Sequence, residues 1–239
     1  TRENMVVNVT SAGEDYARIS GKINALADLI PDKPCSSATI CLDGGPVNEA
    51  FVTAGTIQYV GKGANLYDLG FNYTGQFDVL KSILGTVFLW EKVRMQGGAY
   101  GSSSSFDRCS GDFSLVSYRD PNLTETLNIY DEIPDFLNNL DFPQEEMTKF
   151  IIGCVGHLDP PLSPDRKGMF AMTEHLLGIT PEIKQKRRDE LFSTTLKDLN
   201  AYAPLFEKVR EMGKICVLGN QKKFKKSKNI FDHTVKVFS

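Results

Sequence analysis

Histidine is scarce in this sequence. Only His157, His175 and His233 are present, and none begins a His-x-x-Glu-His run, the spacing that sets two imidazoles on one helix face beside a carboxylate. The nearest approach, Ala171-Met172-Thr173-Glu174-His175, has alanine where the first ligand would stand. The five cysteines, Cys35, Cys41, Cys109, Cys154 and Cys216, are odd in number and scattered, with neither a Cys-x-x-Cys pair nor the density of a disulfide scaffold, and read as free thiols. No segment approaches the roughly 18 uninterrupted apolar residues of a membrane span. Positive charge is not in excess either: the formal net charge is −3, which argues against a dedicated nucleic-acid binder. Gly61-Lys62-Gly63-Ala64-Asn65 lacks the Gly-Lys-Ser/Thr ending of a phosphate loop and reads as a plain turn. The chain starts at Thr1 without a signal-like stretch, which suggests a piece from within a larger protein.

What is present is a near-continuous series of amphipathic elements. At 239 residues the chain can bury a sizeable core, as one large domain or two small ones. Met5–Val9 predicts a strand, and Ser11–Ile30 a helix with Tyr16, Ile19, Ile23, Leu26, Ala27 and Ile30 on its apolar face and Ser11 as cap. Pro31 and Pro34 end it, and a loop with Gly44-Gly45-Pro46 follows. Glu49–Thr53 and Thr56–Val60 predict strands around Gly55. Further on, Asn122–Leu137 is a helical pattern interrupted by Pro134, and Pro143 begins another helix with Glu145 and Glu146 in its first turn. Helices are expected at Pro164–Leu177, Pro181–Phe192 and Leu196–Met212, then a buried strand at Lys214–Leu218 turning at Gly219-Asn220. The basic runs around Lys222, Lys223, Lys225, Lys226 and Lys228, and the mixed run Lys184 to Glu190, read as solvated faces. The three Asn-x-Thr sequons, at Asn8, Asn72 and Asn122, are what chance supplies in such a composition.

The rest is organised around Val79 to Tyr118. Val79, Leu80, Ile83, Leu84, Val87, Phe88 and Val93 recur at three- and four-residue steps, giving one buried helical stripe. Gly97-Gly98 then ends the helix with left-handed geometry. Ala99–Phe106 and Phe113–Tyr118 flank Asp107–Gly111 as a hairpin with a five-residue connection. Two side chains here can do chemistry: Arg94, a permanent cation with a rigid fork of donors, and Tyr100, a neutral hydroxyl donor. From the residues alone, an arginine in a last turn equally serves the helix dipole, and a strand tyrosine equally packs its ring.

The run Leu89-Trp90-Glu91-Lys92-Val93-Arg94-Met95-Gln96-Gly97-Gly98-Ala99-Tyr100-Gly101 resembles the arginine and tyrosine segment in the C-terminal half of pitrilysin/insulinase-type (M16) zinc peptidases, in the form of the presequence protease and falcilysin branch. Ser163-Pro164-Asp165-Arg166-Lys167-Gly168, Leu176-Leu177-Gly178-Ile179-Thr180 and Lys186-Arg187-Arg188-Asp189-Glu190-Leu191 carry the same resemblance, which is weakest over residues 1–70. It implies an α+β fold, an antiparallel sheet packed against several helices. Residues 1–239 would be a single C-terminal domain, the fourth of four homologous ones in a longer enzyme. It implies zinc in the full-length enzyme, held by the N-terminal half, with none bound by this chain. Peptide substrates would be cut in an enclosed chamber, with Arg94 and Tyr100 as catalytic residues and Gly98 and Ala99 beside them against the substrate. The partners implied are the N-terminal domains of the same polypeptide, and the compartment a mitochondrion or other organelle. A catalytically silent peptide-binding or assembly subunit of the same fold is the alternative.

Overall fold

A computed structural model describes residues 2–34, 36, 45, 47–158, 160–227 and 229–237, so Cys35, Cys41, Gly44, Pro46 and Lys228 lie outside the described residues. In chain order, a 3₁₀ turn at Arg2–Asn4 is followed by α1 (Gly13–Asp28), β1 (Glu49–Thr53), β2 (Gln58–Asn65), α2 (Gln76–Ile83), a π-helix (Leu84–Gln96), β3 (Gly101–Phe106) and β4 (Asp112–Asp120). Then come α3 (Thr124–Asp131), α4 (Ile133–Asn138), α5 (Gln144–Leu158), α6 (Pro164–Leu176), α7 (Pro181–Phe192), α8 (Leu196–Asn200), α9 (Ala203–Met212), β5 (Lys214–Asn220), α10 (Gln221–Lys226) and β6 (His233–Lys236). The chain divides into two compact units, Thr1–Gly44 with Asp159–Lys184 and Gly45–Leu158 with Gln185–Ser239.

The described part of the first unit is helical. Ala12, not Ser11, occupies the cap position of α1 and makes no side-chain bond; the Ser11 hydroxyl turns to the Ala12 carbonyl instead. Ile19, Ile23, Ala27 and Ile30 are half-buried as the periodicity requires, whereas Tyr16 and Leu26 stay exposed. Met5–Val9 forms no strand, because a strand needs a partner backbone and the described residues of this unit supply none. Gly168 on α6 is fixed by close approach: a Cβ there would overlap the side chain of Thr10. Gly178 closes α6 at φ +65°, with Ile179 N–H donating to the Glu174 carbonyl at 2.8 Å and Gly178 N–H to that of His175 at 3.2 Å. Those are the two bonds that cap a helix through a left-handed glycine.

The second unit is the expected α+β arrangement, helices packed on a sheet. Strand order is β3-β4-β2-β5-β1-β6, antiparallel from β3 through β5 and parallel where β1 joins β5 and β6. The predicted hairpin forms in register, Phe106 facing Phe113 across the Asp107–Gly111 connection. Alternation divides the strands: Ala50, Val60, Leu115, Ser117 and Val217 are buried, while Tyr59, Val116, Tyr118 and Cys216 are exposed. Phe77 of α2 sits in the core against Phe71, Phe106, Phe113 and Tyr202, with ring centroids 4.8–6.2 Å away, spacings at which edge-to-face rings attract.

Several local expectations change. Gly61–Asn65 is no turn but the second half of β2, extended because β4 and β5 hydrogen-bond to either side. Gly61 and Gly63 permit that approach: a Cβ would lie 3.1 Å from the Cys216 carbonyl and 2.6 Å from that of Phe113. β5 runs through Gly219-Asn220 instead of turning there, paired with β1 as far as Asn220, and only alternate residues of it are buried. The single helix expected over Leu196–Met212 is two, α8 opened by a reciprocal Thr195–Asp198 cap and α9 with Pro204 in its first turn. The mixed run at α7 is not uniformly solvated. Arg187 donates twice to Asp78, at 2.9 and 2.7 Å, and Glu190 accepts the Gly75 N–H at 2.7 Å. Tyr73 donates to the same Asp78 oxygen at 2.6 Å, and burial together with that carboxylate raises its phenol well above the ordinary range. On α10 the basic side chains of Lys222, Lys225 and Lys226 do face solvent, with Phe224 buried beneath.

Lys62 is only 4% exposed. Its ammonium donates to Asp131 of α3 at 2.5 Å and to the Arg210 carbonyl of α9 at 2.9 Å, tying β2 to both helices. Removing one partner of a buried pair strands the other. Lys62→Ala is expected to lower the unfolding free energy by about 3 kcal/mol, and Lys62→Met, which retains the stem, by less; denaturant titration of both variants beside the parent checks magnitude and order.

Candidate functional site

The Arg94–Tyr100 segment is built by the end of a widened helix. Where α2 passes into the π-helix, the Thr86 hydroxyl donates to the Ser82 carbonyl at 2.7 Å, occupying the acceptor that an α-helix would offer to its own backbone N–H. Its buried residues Leu84, Phe88, Leu89 and Val93 continue the core stripe of α2 at the four-residue steps the sequence suggests, although the backbone here is π-helical. Ser102 and Ser104 of β3 donate to the Leu89 and Lys81 carbonyls, at 3.0 and 3.4 Å, and hold the strand against this helix.

At the exit, Gly97 N–H bonds to the Lys92 carbonyl at 3.0 Å, Gly98 N–H to Arg94 at 3.0 Å and Ala99 N–H to Val93 at 3.2 Å. This is a glycine cap in which each span is one residue wider than in an α-helical terminus, as a π-helix requires. The two glycines do different work. Gly98 carries the positive φ, +80°, whereas Gly97 is right-handed at φ −78° and is needed because a Cβ would lie 2.6 Å from the Val93 carbonyl oxygen.

Arg94 is half-buried, its guanidinium stacked 3.8 Å from the ring centroid of Trp90 one turn earlier, a distance at which cation and ring attract. Tyr100 is 67% exposed. Its N–H donates to the Tyr118 carbonyl at 3.1 Å, with the Arg119 carbonyl at 3.4 Å, and its ring lies edge-on to Tyr118 at 5.7 Å. Tyr59 continues this row, 5.3 Å from Tyr118. Arg119, at φ +49°, has its guanidinium carbon 5.9 Å from the Tyr100 ring and 5.4 Å from Tyr118. Among the described residues neither the Tyr100 hydroxyl nor the Arg94 guanidinium has a hydrogen-bonding partner in the chain, so both retain their donors. Ala99 is 4% exposed and buries its methyl in the core. Since the N–H groups of residues 97–100 are all engaged, what the turn itself has to offer is the carbonyl oxygen of exposed Gly98, Ala99 being buried.

Sequence reasoning missed the residues beneath the turn. Asp120 is fully buried and accepts from the Asn122 N–H at 2.8 Å and the Thr126 hydroxyl at 2.7 Å, while the Asn122 side-chain amide donates to the Gly97 carbonyl at 2.6 Å. Asn122 stood out in the sequence as a sequon and as the start of a helical pattern, not as a support for the turn. Trp90 was legible, as an aromatic residue four positions before an arginine on one helix.

No group of three or more His, Cys, Asp or Glu side chains placed to hold a metal occurs among the described residues. Glu174, beside His175 in the near-motif, is ion-paired with Lys184 at 2.7 Å.

The family model for the PreP C-terminal domain matches residues 48–221. The chain belongs to that family. It is 41% identical over 214 residues, 89% of its length, to presequence protease 1, chloroplastic/mitochondrial, of Arabidopsis thaliana, and spans 20% of that protein. To protein HypA of Clostridium perfringens it is 37% identical over 230 residues, 96% of the chain and 24% of the relative. It thus spans about a fifth to a quarter of the length of these two relatives. Among solved structures, the inactive peptidase M16 domain from Pseudomonas fluorescens superposes with a TM-score of 0.62 at 17% identity, over 88% of this chain and 52% of that one. Pitrilysin does so at 0.58 and 11%, over 87% and 23%. The fold of this PreP C-terminal domain is therefore that of M16 peptidase domains.

Within this domain the glycine turn generates a prediction. A side chain at Gly98 must adopt φ +80° but meets only Pro121 Cγ at 3.7 Å, whereas one at Gly97 meets backbone. Gly98→Ala should cost about 1–2 kcal/mol of stability and Gly97→Ala more, an order that thermal or denaturant unfolding of the two variants measures.

Proposed function

We propose that this chain is the non-metal-binding C-terminal domain of a zinc metalloendopeptidase, the fourth homologous domain of a longer polypeptide. Its role is to supply substrate-backbone and transition-state contacts. The observation that carries the reading is the pairing of an exposed, unpartnered Tyr100 hydroxyl with the Trp90-stacked Arg94 across one fixed glycine turn. A guanidinium and a phenol both donate to peptide carbonyls without reading side chains, which suits broad specificity. Tyr100 would donate to the scissile carbonyl as negative charge develops there, and Arg94 would hold a neighbouring carbonyl. The carbonyl of Gly98 would accept from a substrate N–H group, with the buried Ala99 fixing the turn beside it. Size of an enclosed chamber, formed with the N-terminal domains of the same polypeptide, would select short unstructured peptides.

Among the described residues no side-chain group fits a zinc site, so no step is assigned to a metal on this chain. The names of the plant relative and of the mitochondrial presequence protease of Aspergillus oryzae support an organellar compartment, the mitochondrion first. The inactive M16 domain of Pseudomonas fluorescens supports the second reading, a silent peptide-binding or assembly subunit. An upstream His-x-x-Glu-His in the same reading frame favours the peptidase.

In the full-length enzyme, Tyr100→Phe is expected to lower kcat about a hundredfold, near 3 kcal/mol. Arg94→Lys keeps the charge but loses the planar fork, and should weaken peptide handling by roughly 1–3 kcal/mol. Zinc content should stay unchanged in both. Peptidase assays, metal analysis and thermal unfolding on the same preparations check this, and full activity in both variants would return the two residues to helix-terminus and packing roles. The chain by itself is expected to show neither peptidase activity nor stoichiometric zinc after dialysis; one tight zinc per chain with chelator-sensitive cleavage would refute that.

A further inference from the structure

The turn between Arg94 and Tyr100 is held from below by a side chain distant in sequence. Gly97 lies midway between the two residues, and its carbonyl receives the Asn122 side-chain amide at 2.6 Å. Asn122 is itself fixed: its N–H donates to Asp120, whose other carboxylate oxygen accepts from Thr126 on α3, and Asp120 is fully buried. The backbone before it is fixed as well. Arg119 adopts the left-handed conformation, φ +49°, which a non-glycine residue keeps only where its surroundings impose it. That conformation brings the carbonyls of Tyr118 and Arg119 to the Tyr100 N–H, at 3.1 and 3.4 Å, and the Arg119 guanidinium near both tyrosine rings. Two elements therefore meet at one turn. The helix end carries Arg94, the strand start carries Tyr100, and the segment 118–122 bonds to the backbone between and after them.

We infer that Asn122 is a positioning residue for the reaction, acting through the Gly97 carbonyl to hold Arg94 and Tyr100 at the separation and orientation a peptide backbone requires. The inference rests on the proposed roles of those two residues. An amide donor is the group needed here. It places an N–H on a carbonyl that the helix leaves unpaired at its end, and the buried Asp120, through the Asn122 backbone N–H, fixes the backbone from which that amide extends. Asn122→Asp preserves shape but replaces the donor with an acceptor facing another acceptor, so the turn is pushed from its place with little change in volume.

The test uses the full-length enzyme with the variants Tyr100→Phe, Asn122→Asp and the double substitution, scored by kcat and KM on a fluorogenic peptide and by Tm. We expect Asn122→Asp to lower kcat ten- to a hundredfold, the scale of a misplacement near 1 Å, with the protein still folded at the assay temperature. In the Tyr100→Phe background the same substitution should cost distinctly less than in the parent, because the hydroxyl it positions is already gone. A merely structural asparagine would give independent, multiplying losses. If Asn122→Asp does not fold, Asn122→Ser, which leaves room for water at the carbonyl, is judged by the same two criteria. Unchanged kcat in Asn122→Asp, or fully multiplicative losses, overturns the inference while an impaired Tyr100→Phe leaves the proposed function standing. Full activity in Tyr100→Phe removes the proposed function, and the inference with it.

Discussion

There is no room for a side chain at Gly97: a Cβ would stand 2.6 Å from the Val93 carbonyl oxygen. That constraint follows from the π-helix, whose wider turn must still close its last carbonyls before the chain can turn back as a strand. Once the helix ends this way, the next residue must be left-handed, and Gly98 supplies φ +80°. The strand then starts with its N–H groups already paired, and Tyr100 is delivered to the sheet margin with its hydroxyl free of the chain. Arg94 is held against the helix by its stack on Trp90. The chemistry of the candidate site is carried by two side chains, but the backbone sets where they can be.

The two faces of the sheet divide the labour of the second unit. Toward the helices it presents Val60, Leu115 and Val217, together with one cation, Lys62, neutralised by Asp131 and a helix-terminal carbonyl. Toward the other side it presents Tyr59, Val116 and Tyr118, and Tyr100 joins that row. A buried lysine so paired adds less net stability than its contacts suggest, since desolvation offsets most of the Coulombic gain. What it adds is register: the β2 strand cannot slip by one residue without placing that charge on the opposite face.

The segments of family resemblance outside the site share a physical theme. Gly168 accommodates Thr10, Gly178 terminates α6, and Arg187 with Glu190 fastens α7 to the start of α2, at Asp78 and Gly75. They are closures and fastenings. The Arg94–Tyr100 run is the one that carries the functional proposal, with the guanidinium and hydroxyl donors uncommitted among the described residues.

By itself the sequence determined what acts over a turn or two of chain. The 107–111 hairpin, the limits of β1 and α7, the proline-opened starts of α4 and α6 and the glycine stop after the central helix were all legible, because capping, proline geometry and side-chain period are local effects. Arg94 and Tyr100 were singled out through the resemblance of the run that carries them, not through any local effect, and their roles stand as proposals. The tertiary structure alone decided the rest. Parallel pairing of β1 with β5 and β6, burial of Lys62, the inward turn of Arg187 and the bond from Asn122 to Gly97 all join residues far apart in the chain. No local propensity encodes such contacts. They exist because closing a long loop costs little more entropy than closing a short one, so burial of apolar surface and pairing of polar groups choose the partner.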